Sequence, residues 1–106
     1  MELHLLSAAV FAPHLNTVFT MVSEDGLEIA ATLTDCQERP RSTMRGSPRT
    51  AFDLVLECPA EGLPFFNGAA FTLRHPVVGS LGPLHVERIL TAPADAGTAC
   101  FQIIFN

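Results

Sequence analysis

Phe71-Thr-Leu-Arg-His-Pro-Val-Val-Gly-Ser-Leu81 and Cys100-Phe-Gln-Ile-Ile-Phe-Asn106 are the stretches that decide the fold. In the first, Phe71 and Leu73 alternate with polar neighbours until Pro76, which has no N–H to give to a strand ladder. Gly79 and Gly82 then permit the backbone to reverse. A second strand follows over Leu84–Thr91, with Leu84 and Val86 apolar. Arg88 breaks its alternation, and a bulge there would explain the break. Pro93-Ala-Asp-Ala-Gly97 reads as a loop. Beyond it Ala99, Phe101, Ile103 and Phe105 present one apolar face with a period of two, the pattern of a half-buried strand.

Working outward, Ala51–Cys58 alternates in the same way, with Phe52, Leu54 and Leu56 inward and Asp53 and Glu57 outward. Earlier still, Thr17–Ser23 and Leu27–Cys36 flank Asp25-Gly26, a strong hairpin signal. On the second of these, Leu27, Ile29, Ala31 and Leu33 share a face. Residues 5–12 have room for one or two helical turns, with Ser7 as N-cap and Pro13 disfavouring helix at Ala12. Phe11 and Leu15 would share a helical face, and Asn16 stands where a left-handed residue would end the turn. This piece reads as a lid on one open end of a sheet. Leu63, Phe65 and Phe66 are apolar for a connection and are expected to fold over a barrel end.

Six strands with no strand–helix–strand unit argue against a parallel sheet. The fold class expected is all-β and mainly antiparallel, a small six-stranded barrel or compact sandwich with a short N-terminal helical turn. At 106 residues, 48% of them hydrophobic, the chain fits one domain with its own core. The N-terminal apolar run carries Glu2 where a secretory signal wants positive charge. It is also far too short to span a membrane. The expectation is a cytoplasmic protein.

The net charge is −5, and all six basic residues are arginine. Four of them, Arg39, Arg41, Arg45 and Arg49, fall between Gln37 and Arg49, a segment of net +3 that leaves −8 on the rest of the chain. Pro40, Gly46 and Pro48 mark that segment as a long loop, and long loops in compact domains are functional or unstructured. Arginine pairs with carboxylates and phosphates through two parallel hydrogen bonds. The loop is therefore a candidate for docking an acidic partner or a second copy of the chain. The plainer alternative is a solvated loop. Nucleic acid is disfavoured, because the body is acidic and the chain has no Trp, Tyr or Lys.

Other constellations are thinner. His75 and His85 on successive strands make half a zinc site at most, since zinc takes at least three protein ligands in such sites. His14 and Cys58 are the only further ligands to hand. No metal and no cofactor is expected, and His75 is better read as bonding a backbone group at its His-Pro corner. Cys36, Cys58 and Cys100 are odd in number and widely spaced, which suits reduced thiols. Neither they nor Ser47 and Ser80 have a local base or activating turn, and there is no Gly-x-Ser-x-Gly motif, phosphate loop or dinucleotide fingerprint. Catalytic residues are not expected. The closing strand, Thr98–Phe105, has no charge and no interior proline. That suits an internal strand, or an edge whose Thr98, Cys100, Gln102 and Ile104 meet a partner strand.

The residues Phe71, Leu73, His75, Pro76, Gly79 and Leu81, with Phe105-Asn106, resemble a family of small bacterial domains of unknown function. Phe11, Leu15, Asn16 and Phe19 match its N-terminal motif, with Asn16 in place of a glycine, and Phe52 and Leu54 match its strand after the long loop. Pro83 and the extra Phe65-Phe66 depart from the pattern. The resemblance implies a β-rich domain without catalysis, accessory to a phage-tail-like fibre or collar assembly, and so a part of such a particle as an alternative location. Three functions follow as expectations. The first is a non-catalytic interaction module with a protein partner or as a homo-oligomer. The others are a ligand-binding or enzymatic barrel using Phe65, Phe66, His75 and His85, and a small chaperone for a fibre protein.

Overall fold

The computed structural model describes residues 6–43, 45–46, 49–63, 68–89 and 97–105. Its six strands are β1 (Val18–Ser23), β2 (Glu28–Glu38), β3 (Phe52–Pro59), β4 (Gly68–His75), β5 (Gly79–Ile89) and β6 (Thr98–Phe105). They close into an antiparallel barrel in the order β1-β2-β3-β6-β5-β4. The sandwich alternative is thus set aside. A short helix, α1 (Ala8–Phe11), and a 3-10 turn (Ala12–His14) precede the barrel.

The alternating residues point where their period requires. Phe19 and Met21, Ile29, Ala31 and Leu33, Phe52, Leu54 and Leu56, Phe71 and Leu73, and Ala99, Phe101, Ile103 and Phe105 are all buried. An eight-stranded barrel is just wide enough for side chains to fill it, so six strands enclose a narrower interior. Each such Leu or Phe contributes about 1.5–3 kcal/mol by leaving water.

Two bulges bend the wall. On β2, Leu33 pairs with Leu56 and Asp35 with Val55, leaving Thr34 as the extra residue. On β5, Phe71 pairs with Leu84 and Leu73 with Leu81, so Gly82 and Pro83 oppose the single residue Thr72. The bulge expected at Arg88 lies here instead. Gly82 does not turn the chain; it lets β5 change phase within one strand, so that Leu81 and Leu84 both reach the core. The φ of Gly82 is +139°, and an added Cβ would meet the Phe71 carbonyl oxygen at 3.0 Å.

The lid forms as expected, with differences. Phe11 is buried and packs its ring 5.8 Å from both Phe52 and Phe105 and 6.2 Å from Phe19. Ser7 has the extended backbone of an N-cap, yet its side chain makes no capping bond. Pro13 does not stop the chain from coiling, because it sits in the first positions of the 3-10 turn, where no N–H is needed. Leu15 does not share the face of Phe11 and is 38% exposed. Asn16 takes the left-handed conformation, φ 68°, and its N–H donates to the Leu33 carbonyl at 2.7 Å. Leu63 packs against the core at the opposite end; Phe65 and Phe66 lie outside the described residues. Among the described residues no helix is long and apolar enough to cross a membrane.

Candidate functional site

The register defines two barrel ends. One holds α1, the start of β3, the end of β6 and the turn between His75 and Gly79; the other holds the hairpin around Gly26, the end of β3 and the start of β6. The arginine segment belongs to the lid end, because Glu38 and Phe52, which bracket it, pair with each other.

Its four arginines divide into two kinds. Arg39 is anchored: its N–H donates to the Ala51 carbonyl at 2.6 Å and its Nε to Asp53 Oδ2 at 2.8 Å. Thr43 reinforces the bend, its hydroxyl donating to the Arg39 carbonyl and accepting from the Ala51 N–H. Arg49 is half-buried over the lid. Its guanidinium donates to the Leu6 carbonyl at 3.1 Å and lies 5.4 Å from the Phe105 ring and 5.8 Å from the Phe52 ring. Those rings stack with centroids 4.5 Å apart. Arg41 and Arg45 are exposed and have no ion pair or hydrogen bond to a described residue. A shallow depression of about 380 Å³ is lined by Glu38, Arg39, Pro40 and Arg41.

β6 is an inner strand. It pairs with β3 from Pro59↔Thr98 to Phe52↔Phe105. On its other side Cys100, Phe101 and Gln102 pair with Ile89, Arg88 and Glu87. Its lack of charge is that of a strand held on both sides, so an edge along the whole of Thr98–Phe105 is not available to a partner. Among the described residues the ladder to β5 does not continue to 103–105, and there Ile104 is 55% exposed.

The two histidines are not brought together. His75 points into the lid end and His85 is exposed on the outer wall, 3.3 Å from Glu87 Oε1. His75 Nδ1 accepts from the Val77 and Val78 N–H groups at 3.1 and 3.3 Å. Its Nε2 therefore carries the proton and donates to Thr17 Oγ1 at 3.1 Å, while the Thr17 hydroxyl donates to the His14 carbonyl at 2.6 Å. Burial, and then the neighbouring His14, lower the His75 pKa. Sequence spacing missed the partner: the histidine beside His75 is His14, at 4.7 Å between centroids, with the Phe19 ring at 4.4 Å. Among the described residues no group of three or more His, Cys, Asp or Glu is placed to hold a metal ion. Cys36, Cys58 and Cys100 are not in disulfides, and Cys100 Sγ lies 3.5 Å from Glu57 Oε1; burial raises the pKa of Cys36 and of Cys58.

The sequence did not single out the exposed apolar rim. Leu15, Val18, Val77 (74% exposed) and Ile104 are the large hydrophobic side chains exposed among the described residues, and all four lie toward the lid end. Val77 stands in a turn and Val18 and Ile104 on outward faces; the outward place of Ile104 follows from the strand's period of two, but the grouping of these side chains at one end follows only from the register. The other end carries exposed Glu24, Asp25 and Glu61 instead.

No curated protein and no solved structure matches this chain. A family model described as a domain of unknown function, DUF6916, matches residues 6–105, nearly the whole of the barrel and its lid, and the chain belongs to that family.

Proposed function

We propose that this domain is a non-catalytic protein-interaction module that docks through its lid end. The observation that carries the reading is the meeting, at that one end, of the exposed apolar rim with the exposed Arg41 and Arg45. Arginine and apolar side chains are what protein interfaces concentrate, while Lys, Glu and Asp are depleted there. Acidic side chains crowd the other end. The interior offers little to a ligand, since Phe19, Met21, Leu54, Leu73 and Phe101 fill it at 1% exposure or less. The module is read as accessory to a larger assembly, a bacterial phage-tail-like particle being the expected setting and a tail-fibre or collar-like protein the expected partner.

The test is capture of a partner from the source cell by the tagged full chain, with Arg41→Ser/Arg45→Ser and Val77→Ser as comparisons. All three positions are exposed, so circular dichroism should match wild type. Loss of the captured protein in both variants supports the module. Equal capture by wild type and both variants removes the lid end from the proposal.

A further inference from the structure

Glu24 and Asp25 occupy the hairpin at the end opposite the arginines, and they rim a depression of about 300 Å³ that is floored by Ala69 and Ala70. The hairpin is stiff. Gly26 N–H donates to the Ser23 carbonyl at 3.1 Å, Leu27 N–H donates to Ser23 Oγ at 2.9 Å, and the Ser23 hydroxyl donates to Asp25 Oδ1. The Asp25 side chain is exposed in this turn. Glu24 is exposed and has no ion pair or hydrogen bond among the described residues. Glu61 stands exposed on the same end.

Such a hollow has the chemistry of an arginine receptor. A guanidinium takes two carboxylate oxygens at once, while its methylene stem lies on an apolar floor. The chain supplies the matching group at its other end, where Arg41 and Arg45 are exposed. Resting on the lid end as docking face, we propose that the partner is a second copy of this chain: Arg41 or Arg45 of one molecule enters the Glu24–Asp25 hollow of the next. The contact joins unlike surfaces, so it repeats head to tail and builds a row rather than a closed pair. The overall charge of −5 does not forbid it. The ends are separated by the eight residues of β3, roughly 26 Å at strand rise. Screening acts over about 8 Å at physiological salt, so each end meets its neighbour largely by its own charge.

The test is sedimentation velocity of the full chain over a concentration series, at physiological and at several-fold higher salt. Association that grows with concentration, gives elongated species and is lost at high salt is expected. Arg41→Glu/Arg45→Glu alone and Glu24→Arg/Asp25→Asn alone should each stay monomeric, Asn keeping the acceptor that Ser23 needs. An equimolar mixture of the two should associate again, since unlike ends are then complementary. A wild type that stays monomeric throughout overturns the proposal, as do oligomers that neither variant alters. A monomeric wild type that still captures a different protein through Arg41 and Arg45 removes the second copy and leaves the module standing.

Discussion

The hydroxyl of Thr17 lies 3.1 Å from Nε2 of His75, and this bond ties the segment behind the lid to the turn that joins β4 and β5, 58 residues away. The other ring nitrogen accepts two backbone N–H groups, so the imidazole must be neutral to fit. Protonation would set an N–H against two N–H donors.

That arrangement makes the barrel acid-sensitive. The folded-state pKa of His75 is lowered, so the unfolded chain binds the proton more readily. The stabilisation is therefore complete above the ordinary histidine value of about 6.5 and is lost as pH falls through the lowered folded-state value. Urea midpoints should fall across that window in wild type and stay flatter in His75→Gln. A wild type whose midpoint ignores this range would show that His75 is not held as described. Thr17→Val should cost about 1–3 kcal/mol at neutral pH, because it strands a part-buried donor and acceptor.

Phe11 closes the lid end against Phe19, Phe52 and Phe105. Phe11→Ala is expected to cost about 3–5 kcal/mol, a large share of the roughly 5–15 kcal/mol that holds a domain together. Leu15→Ala, on a half-open side chain, should stay within about 0.5 kcal/mol. Equal denaturation midpoints for the two variants would mean that the helix does not seal the barrel.

The arginines should separate by stability. Arg49→Ala removes a bond to the Leu6 carbonyl and a cation over two rings, together worth about 1–3 kcal/mol. Arg41→Ala should be silent in the same urea titration, within about 0.5 kcal/mol. If Arg41→Ala proved as damaging as Arg49→Ala, Arg41 would be a structural residue and its place in the docking face would be lost.

Gly82 carries the phase change of β5. Gly82→Ala meets both an unfavourable backbone conformation and the backbone of Phe71 and Thr72 at 3.0 Å; the backbone strain alone costs about 1–3 kcal/mol. Gly26→Ala, at φ +92° with nothing within 4 Å of the added carbon, bears only the backbone part. Thermal unfolding should therefore rank Gly82→Ala below Gly26→Ala, and the reverse order would place the bulge elsewhere.

Apart from the start and phase of β5, the sequence by itself determined the strands, their inward faces and the Asp25-Gly26 hairpin, because a period of two and turn chemistry are local properties. Its reading of Asn16 and of His75 as a backbone-bonded corner rested on equally local chemistry. Only the tertiary structure decided what strand order and phase control. The bulge at Gly82 and Pro83 follows from closing β5 against β4, which no single-strand pattern records. β6 became an inner strand because closure brought β5 to its free side. Arg39 and Arg49 are anchored because Asp53, Leu6 and Phe105 reach them only in the folded barrel. Likewise the apolar rim with Arg41 and Arg45 at one end, and the carboxylates at the other, are unions of distant segments made by register alone.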